Sequence, residues 1–168
     1  RRTMHETLGY DKFYSKKDYD VTSENSIGLG IGDQAFFHQS VSKIEDISKK
    51  HEKFYGLLIT LTNHTPFSEV EKYGEFPVSI KESVVSEDGT ITEVEYPYME
   101  GTKLGNYFKS VHYADYALGE FIQELDSAGL LENTAIVIYG DHDARLPEKD
   151  YVRFYNYDKS TDSVKNKD

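Results

Sequence analysis

Two short apolar runs on either side of one long amphipathic stripe constrain this chain more than any other feature. The runs 55–62 and 135–140 are nearly continuous in Leu, Ile and Val, are bounded by turn formers and are short. That pattern fits buried strands. Between them Tyr107, Phe108, Val111, Ala114, Ala117, Leu118, Phe121, Ile122 and Leu125 recur at three- and four-residue steps. This spacing predicts a helix over 105–128 with its apolar side chains on one face, closed by Gly129. Strand, helix, strand in that order is a βαβ crossover, which implies parallel strands and a right-handed connection. Both strand ends then lie on the same edge of a sheet.

In open α/β sheets, ligands bind just beyond the carboxyl ends of the strands. The second run ends on Tyr139-Gly140-Asp141-His142 and the first on Asn63-His64-Thr65-Pro66-Phe67. A carboxylate beside an imidazole suits a divalent cation of the manganese, zinc or magnesium kind, although two ligands cannot complete a coordination shell. Gly140 permits close backbone approach. The plainer alternatives are a polar turn capped by Asp141 and a loop imidazole held by its own backbone. The shared sheet edge is what favours a site, because it carries His64 toward Asp141 and His142. Asp143 and Arg145 follow closely, as further site residues or as loop anchors.

Other motifs are weaker. Gly28-Leu29-Gly30-Ile31-Gly32 resembles part of a dinucleotide-binding loop, but Asp33 stands where a third glycine belongs and no apolar strand precedes it. It reads as a flexible link to a helix over 34–50, capped by Asp33, with Phe37, Val41, Ile44 and Ile47 on its inner face. Neither a Gly-Lys-Ser phosphate loop nor a Gly-x-Ser-x-Gly elbow is present, so a Ser-His-Asp hydrolase is unsupported. His5, His38, His51 and His112 show no ligand spacing and read as surface or structural residues. Segment 68–104 reads as an insertion carrying a hairpin that turns at Asp88-Gly89. The opening residues read as short strand and turn pieces, and the stretch 148–168 as poorly ordered toward its end.

With 168 residues, one domain is expected. The formal net charge of −11 argues against a nucleic-acid partner, which needs clustered Lys and Arg. No apolar stretch reaches the roughly 18–20 residues of a membrane-spanning helix. The absence of cysteine removes disulfides and thiolate chemistry. Arg1 opens the chain without an initiator Met, and a partial segment is the expectation.

The stretches Leu58-Ile59-Thr60-Leu61-Thr62-Asn63-His64-Thr65-Pro66-Phe67 and Ile136-Val137-Ile138-Tyr139-Gly140-Asp141-His142, with the helix between them, resemble the extracellular catalytic domain of lipoteichoic acid synthases. These belong to the sulfatase and alkaline phosphatase superfamily, and the resemblance covers about residues 1–147. It implies an α/β fold with a largely parallel β-sheet and helices on both faces, of which 1–168 is part of one catalytic domain. It also implies that Asp141 and His142 bind a catalytic divalent metal, Mn2+ first, with Mg2+, Ca2+ or Zn2+ open. His64 would be a catalytic histidine at the substrate phosphate or leaving oxygen, and Arg1 a substrate-phosphate arginine. The substrate would be a phosphate or sulfate ester, phosphatidylglycerol among the candidates, at the extracellular face of a bacterial cell membrane. Membrane association would come through segments absent here. The family's threonine nucleophile and a further acidic ligand lie earlier in its sequence, so this segment alone is expected to be inactive. Asp143-Ala144-Arg145 departs from the family's usual Tyr-Gly continuation, which leaves open phosphoglycerol transferase, sulfatase or related phosphodiester chemistry. A non-catalytic cell-wall or carbohydrate-binding module that retains the fold is the alternative.

Overall fold

The structure, a computed structural model, describes residues 2–96 and 99–155. A short helix, α1 (Arg2–Thr7), leads through a capped turn to a two-stranded antiparallel ladder, β1 (Ser26–Ile27) with β2 (Gly30–Ile31). Helix α2 (Asp33–Ser48) follows, then a hairpin of β3 (Ile80–Val85) and β4 (Ile91–Tyr96), the long helix α3 (Lys103–Ser127) and a short α4 (Glu148–Tyr155). None of the helices is long and apolar enough to cross a membrane, among the described residues.

The two major helices form where the apolar stripes predict them. Thr102 caps α3 by accepting from the Gly105 amide at 3.0 Å. Its other end closes on Gly129 at φ +68°, with Leu130 N donating to Leu125 O at 2.9 Å and Gly129 N to Asp126 O at 2.8 Å. That pair of bonds is the Schellman arrangement, which only a left-handed residue permits without strain. Gly105 is required for a different reason: a Cβ there would lie 2.0 Å from the Met99 carbonyl oxygen. Helix α2 differs from expectation at its start. Gly32 is the cap residue and makes no side-chain cap bond, while Asp33 is already the first helical residue.

The core lies between α2 and α3. Phe37 stacks on Phe121 with centroids 4.7 Å apart, and Ala117 and Leu125 complete a buried cluster flanked by Phe36, Val41, Ile44, Leu58 and Leu118. A second cluster of Ile27, Tyr73 and Tyr113 ties the β1–β2 ladder to the far side of α3. The hairpin turns at Asp88-Gly89 as expected, with Gly89 at φ +81° and Thr90 N donating to Asp88 Oδ1 at 3.0 Å.

The expected parallel strands are where the structure departs from the sequence reading. Segments 55–62 and 135–140 belong to no ladder among the described residues; the only sheets there are the two antiparallel pairs. Leu58 packs on the core, whereas Tyr55, Ile59, Val137 and Ile138 are exposed, Val137 to 80%. The physical reason is that a strand exists only by virtue of a hydrogen-bonded neighbour. Neither segment has one here, so the runs carry strand composition without a sheet. The opening residues likewise hold a helix and a turn before their first short strand. Residues 148–155 of the last stretch are helical, and the remainder of it lies outside the described residues.

Candidate active site

The two apolar runs still deliver their ends to one place. The rings of His64 and His142 meet edge to face, with centroids 5.6 Å apart. Asp141 stands beside them, its Oδ1 3.7 Å from His142 Nε2. Residues that lie 77 and 78 positions apart in sequence are thus neighbours in space, although no ladder joins the two runs among the described residues.

Each imidazole is oriented by its own backbone. Nδ1 of His64 lies 2.6 Å from the Thr65 carbonyl oxygen, and Nδ1 of His142 lies 2.7 Å from that of Asp143. A carbonyl can only accept, so Nδ1 donates in both rings, and in the neutral form of each ring the lone pair is on Nε2. This is the tautomer a metal-binding or proton-accepting histidine needs, fixed by a backbone partner in the usual way.

The turn that carries His64 is tethered from both helices. His64 N donates to Thr62 O at 2.8 Å, and Phe67 N donates to His64 O at 3.3 Å. From α3, Ser110 Oγ donates to Asn63 Oδ1 at 2.7 Å and Asn106 Nδ2 donates to Phe67 O at 3.2 Å. The Thr65-Pro66 peptide is cis, and buried Phe67 sits in the left-handed region at φ +55°. From α2 comes a contact that sequence reading missed: Asp33, taken there for a helix cap, turns its carboxylate onto the backbone of Leu61 and Thr62. Burial holds the Asp33 carboxyl above the usual carboxylate range, opposed by those hydrogen bonds.

The donor set fits a divalent cation in kind. Metal–oxygen and metal–nitrogen bonds of about 2.0–2.2 Å put neighbouring donors roughly 3–3.5 Å apart. The separation of 3.7 Å between Asp141 Oδ1 and His142 Nε2 needs only a small rotation to reach that range. The set is incomplete, since no group of three such side chains able to hold a metal occurs among the described residues. Asp141 is also exposed, at 75% of its side chain, so the site is open on one side.

The remaining candidates fall elsewhere. Arg1 lies outside the described residues. Asp143 contributes its carbonyl to His142, and the Arg145 carbonyl accepts from Lys103 Nζ at 2.8 Å, which anchors the loop to the start of α3. His38 pairs with Glu124, His5 stacks on Phe13 and His112 on Phe76, in keeping with structural roles. A cleft of about 330 Å³ between α2 and α3, lined by His38, Glu120 and Glu124 among others, does not include His64, Asp141 or His142.

This meeting of Asp141 and His142 with a second histidine, each at the end of an apolar run, coincides with a family match. The profile of the sulfatase family matches residues 1–165, and the chain belongs to that family. The chain is similar to lipoteichoic acid synthase 1 of Bacillus subtilis (strain 168), at 38% identity over 142 residues, 84% of this chain and 19% of that protein. It is 35% identical, over the same shares, to the lipoteichoic acid synthase of Staphylococcus aureus (strain USA300). Among solved structures, a lipoteichoic acid synthase from Listeria monocytogenes superposes with a TM-score of 0.65 at 33% identity, covering 86% of this chain and 32% of that one. The chain therefore spans 19% of the length of the curated relatives it matches.

Proposed function

We propose that this chain carries one wall of a metal-assisted transfer site for phosphate or sulfate esters, of the phosphoglycerol-transferase kind. The observation that carries the reading is the convergence of His64, Asp141 and His142 in a chain of the sulfatase family. Asp141 and His142 would hold a divalent cation, Mn2+ by preference. Once bound, such an ion neutralises charge on the ester oxygens and lowers the pKa of a coordinated hydroxyl. The outward Nε2 of His64 would accept a hydrogen bond from a protonated ester oxygen, or carry a proton to the departing alcohol. Arg1 would pair with the phosphate through a two-pronged guanidinium contact.

The nucleophile and the rest of the metal shell would come from further chain of the same domain. Two observations support this: the relatives are several times longer, and the ligand set here is short. The same further chain would complete a largely parallel sheet with helices on both faces, using segments 55–62 and 135–140. Alone, residues 1–168 would turn over no substrate. Phosphatidylglycerol would be a candidate donor, at the extracellular face of a bacterial cell membrane; what the relatives' names support is the coarser reading, lipoteichoic acid synthesis.

The test is an assay of the longer protein that contains this segment, against phosphatidylglycerol and an aryl sulfate in parallel. Cleavage of the lipid, lost by at least about a hundredfold in Asp141→Ala, is the expected result. Activity indifferent to Asp141→Ala would remove the metal role. No cleavage of either ester, together with glycan binding that needs no metal, would point to a binding module instead.

A further inference from the structure

We propose that Asp33 and Thr62 form a clasp that positions His64, an inference that rests on the reading of His64 as a site residue. Asp33 is 1% exposed and Thr62 2% exposed. One carboxylate oxygen, Oδ1, accepts from two consecutive backbone amides, Leu61 N at 3.2 Å and Thr62 N at 3.1 Å. In return Asp33 N donates to Thr62 Oγ1 at 2.9 Å. The two residues thus hold each other through backbone and side chain at once.

A helix-cap role does not account for this geometry. The cap residue of α2 is Gly32, without a side-chain cap bond, and the Asp33 carboxylate points across to another segment. Nor does simple stability account for it. Among the described residues Asp33 Oδ2 is buried without a hydrogen-bond partner, an arrangement that works against folding. What the carboxylate does supply is a short, rigid acceptor for two adjacent N–H groups directly before the turn that carries His64.

Position is transmitted from there in one step. The Thr62 carbonyl accepts the His64 amide at 2.8 Å, and the His64 ring is locked on the Thr65 carbonyl. Asn63, between them, is fixed from α3 by Ser110. The start of α2 and the middle of α3 therefore grip successive residues of the turn, and His64 has little freedom left. A residue held to within roughly half an ångström by its supporting shell is what a transfer site needs. Asp33 and Thr62 touch no substrate in this account; they are positioning residues.

The experiment uses histidine-ring and amide NMR on the full 168-residue chain, with Mn2+ as a paramagnetic probe. In the wild type, the Leu61 and Thr62 amides should exchange with solvent at least about fivefold more slowly than that of Ile59. Mn2+ should broaden the ring signals of both His142 and His64. Thr62→Val, which keeps the shape and removes the hydroxyl that accepts the Asp33 amide, should speed exchange of the Asp33 amide at least about fivefold and turn the His64 ring from the single Nδ1–H tautomer held on the Thr65 carbonyl into a mixture, while the His142 ring keeps its own. Thr62→Ser should restore both. If Thr62→Val lowers thermal stability but leaves the His64 ring as in the wild type, the positioning role is overturned. Should Thr62→Val fail to fold, the wild-type exchange rates decide: amides at 61 and 62 as fast as that of Ile59 sink the clasp. Broadening of neither ring in the wild type would count against the metal site, and the exchange rates would then judge the clasp separately.

Discussion

At the scale of single residues, two kinds of polar group matter to the site: rings that leave Nε2 for a ligand and a carboxyl that is buried. His64 and His142 are of the first kind, each with Nδ1 spent on a backbone carbonyl. Asp33 is the second, and its burial has a pH signature. A carboxyl raised by desolvation favours folding fully below its unfolded pKa, and that contribution is lost as pH rises through the folded value. The groups facing it are the Tyr113 and Tyr73 hydroxyls, both shifted upward, Tyr73 to about 12, so neither ionises in the working range. Asp33→Asn cannot titrate. Its melting temperature relative to the wild type should therefore climb as pH is raised from about 4 to 8, and parallel curves for the two proteins would contradict the buried-carboxylate account. Asp141, His142 and His64 were legible in the sequence because each sits next to a recognisable apolar run. The role of Asp33 was not, because its partner Thr62 is 29 positions away and only the folded turn brings them together.

Among elements, the helices are self-specifying and the strands are not. An apolar stripe and a cap decide α3 from within its own residues, which is why its bounds fall within two positions of those expected. Its contribution is concentrated in the Phe37–Phe121 stack, so Phe121→Ala should cost about 3–5 kcal/mol by chemical denaturation. A loss below about 1 kcal/mol would mean that the α2–α3 interface is not the core. Segments 55–62 and 135–140 show the opposite behaviour. Their apolar runs record an expectation of burial, but pairing depends on a second strand that local sequence does not specify. Exposed β-branched runs with open backbone groups pair with one another between molecules. Sedimentation of the chain should show concentration-dependent association that Val137→Lys reduces, since Val137 is 80% exposed. Equal association by the variant would show that this run is not the adhesive surface.

For the molecule as a whole, two helices packed on a small core leave the 62–67 and 140–145 turns meeting at His64 and His142. The formal net charge of −11 gives the molecule an overall negative field, which attracts cations and opposes the approach of an anionic ester. On the function proposed above, these turns of a sulfatase-family chain would serve the chemistry of a larger domain. The central claim is that Asp141 and His142 are partners in one cation site. Mn2+ titration of the 168-residue chain, followed by electron paramagnetic resonance of the free ion, tests it most directly. The account predicts a single saturable site weakened at least about tenfold in Asp141→Ala and in His142→Ala, each removing one of two protein ligands. Unchanged Mn2+ affinity in both variants would contradict it.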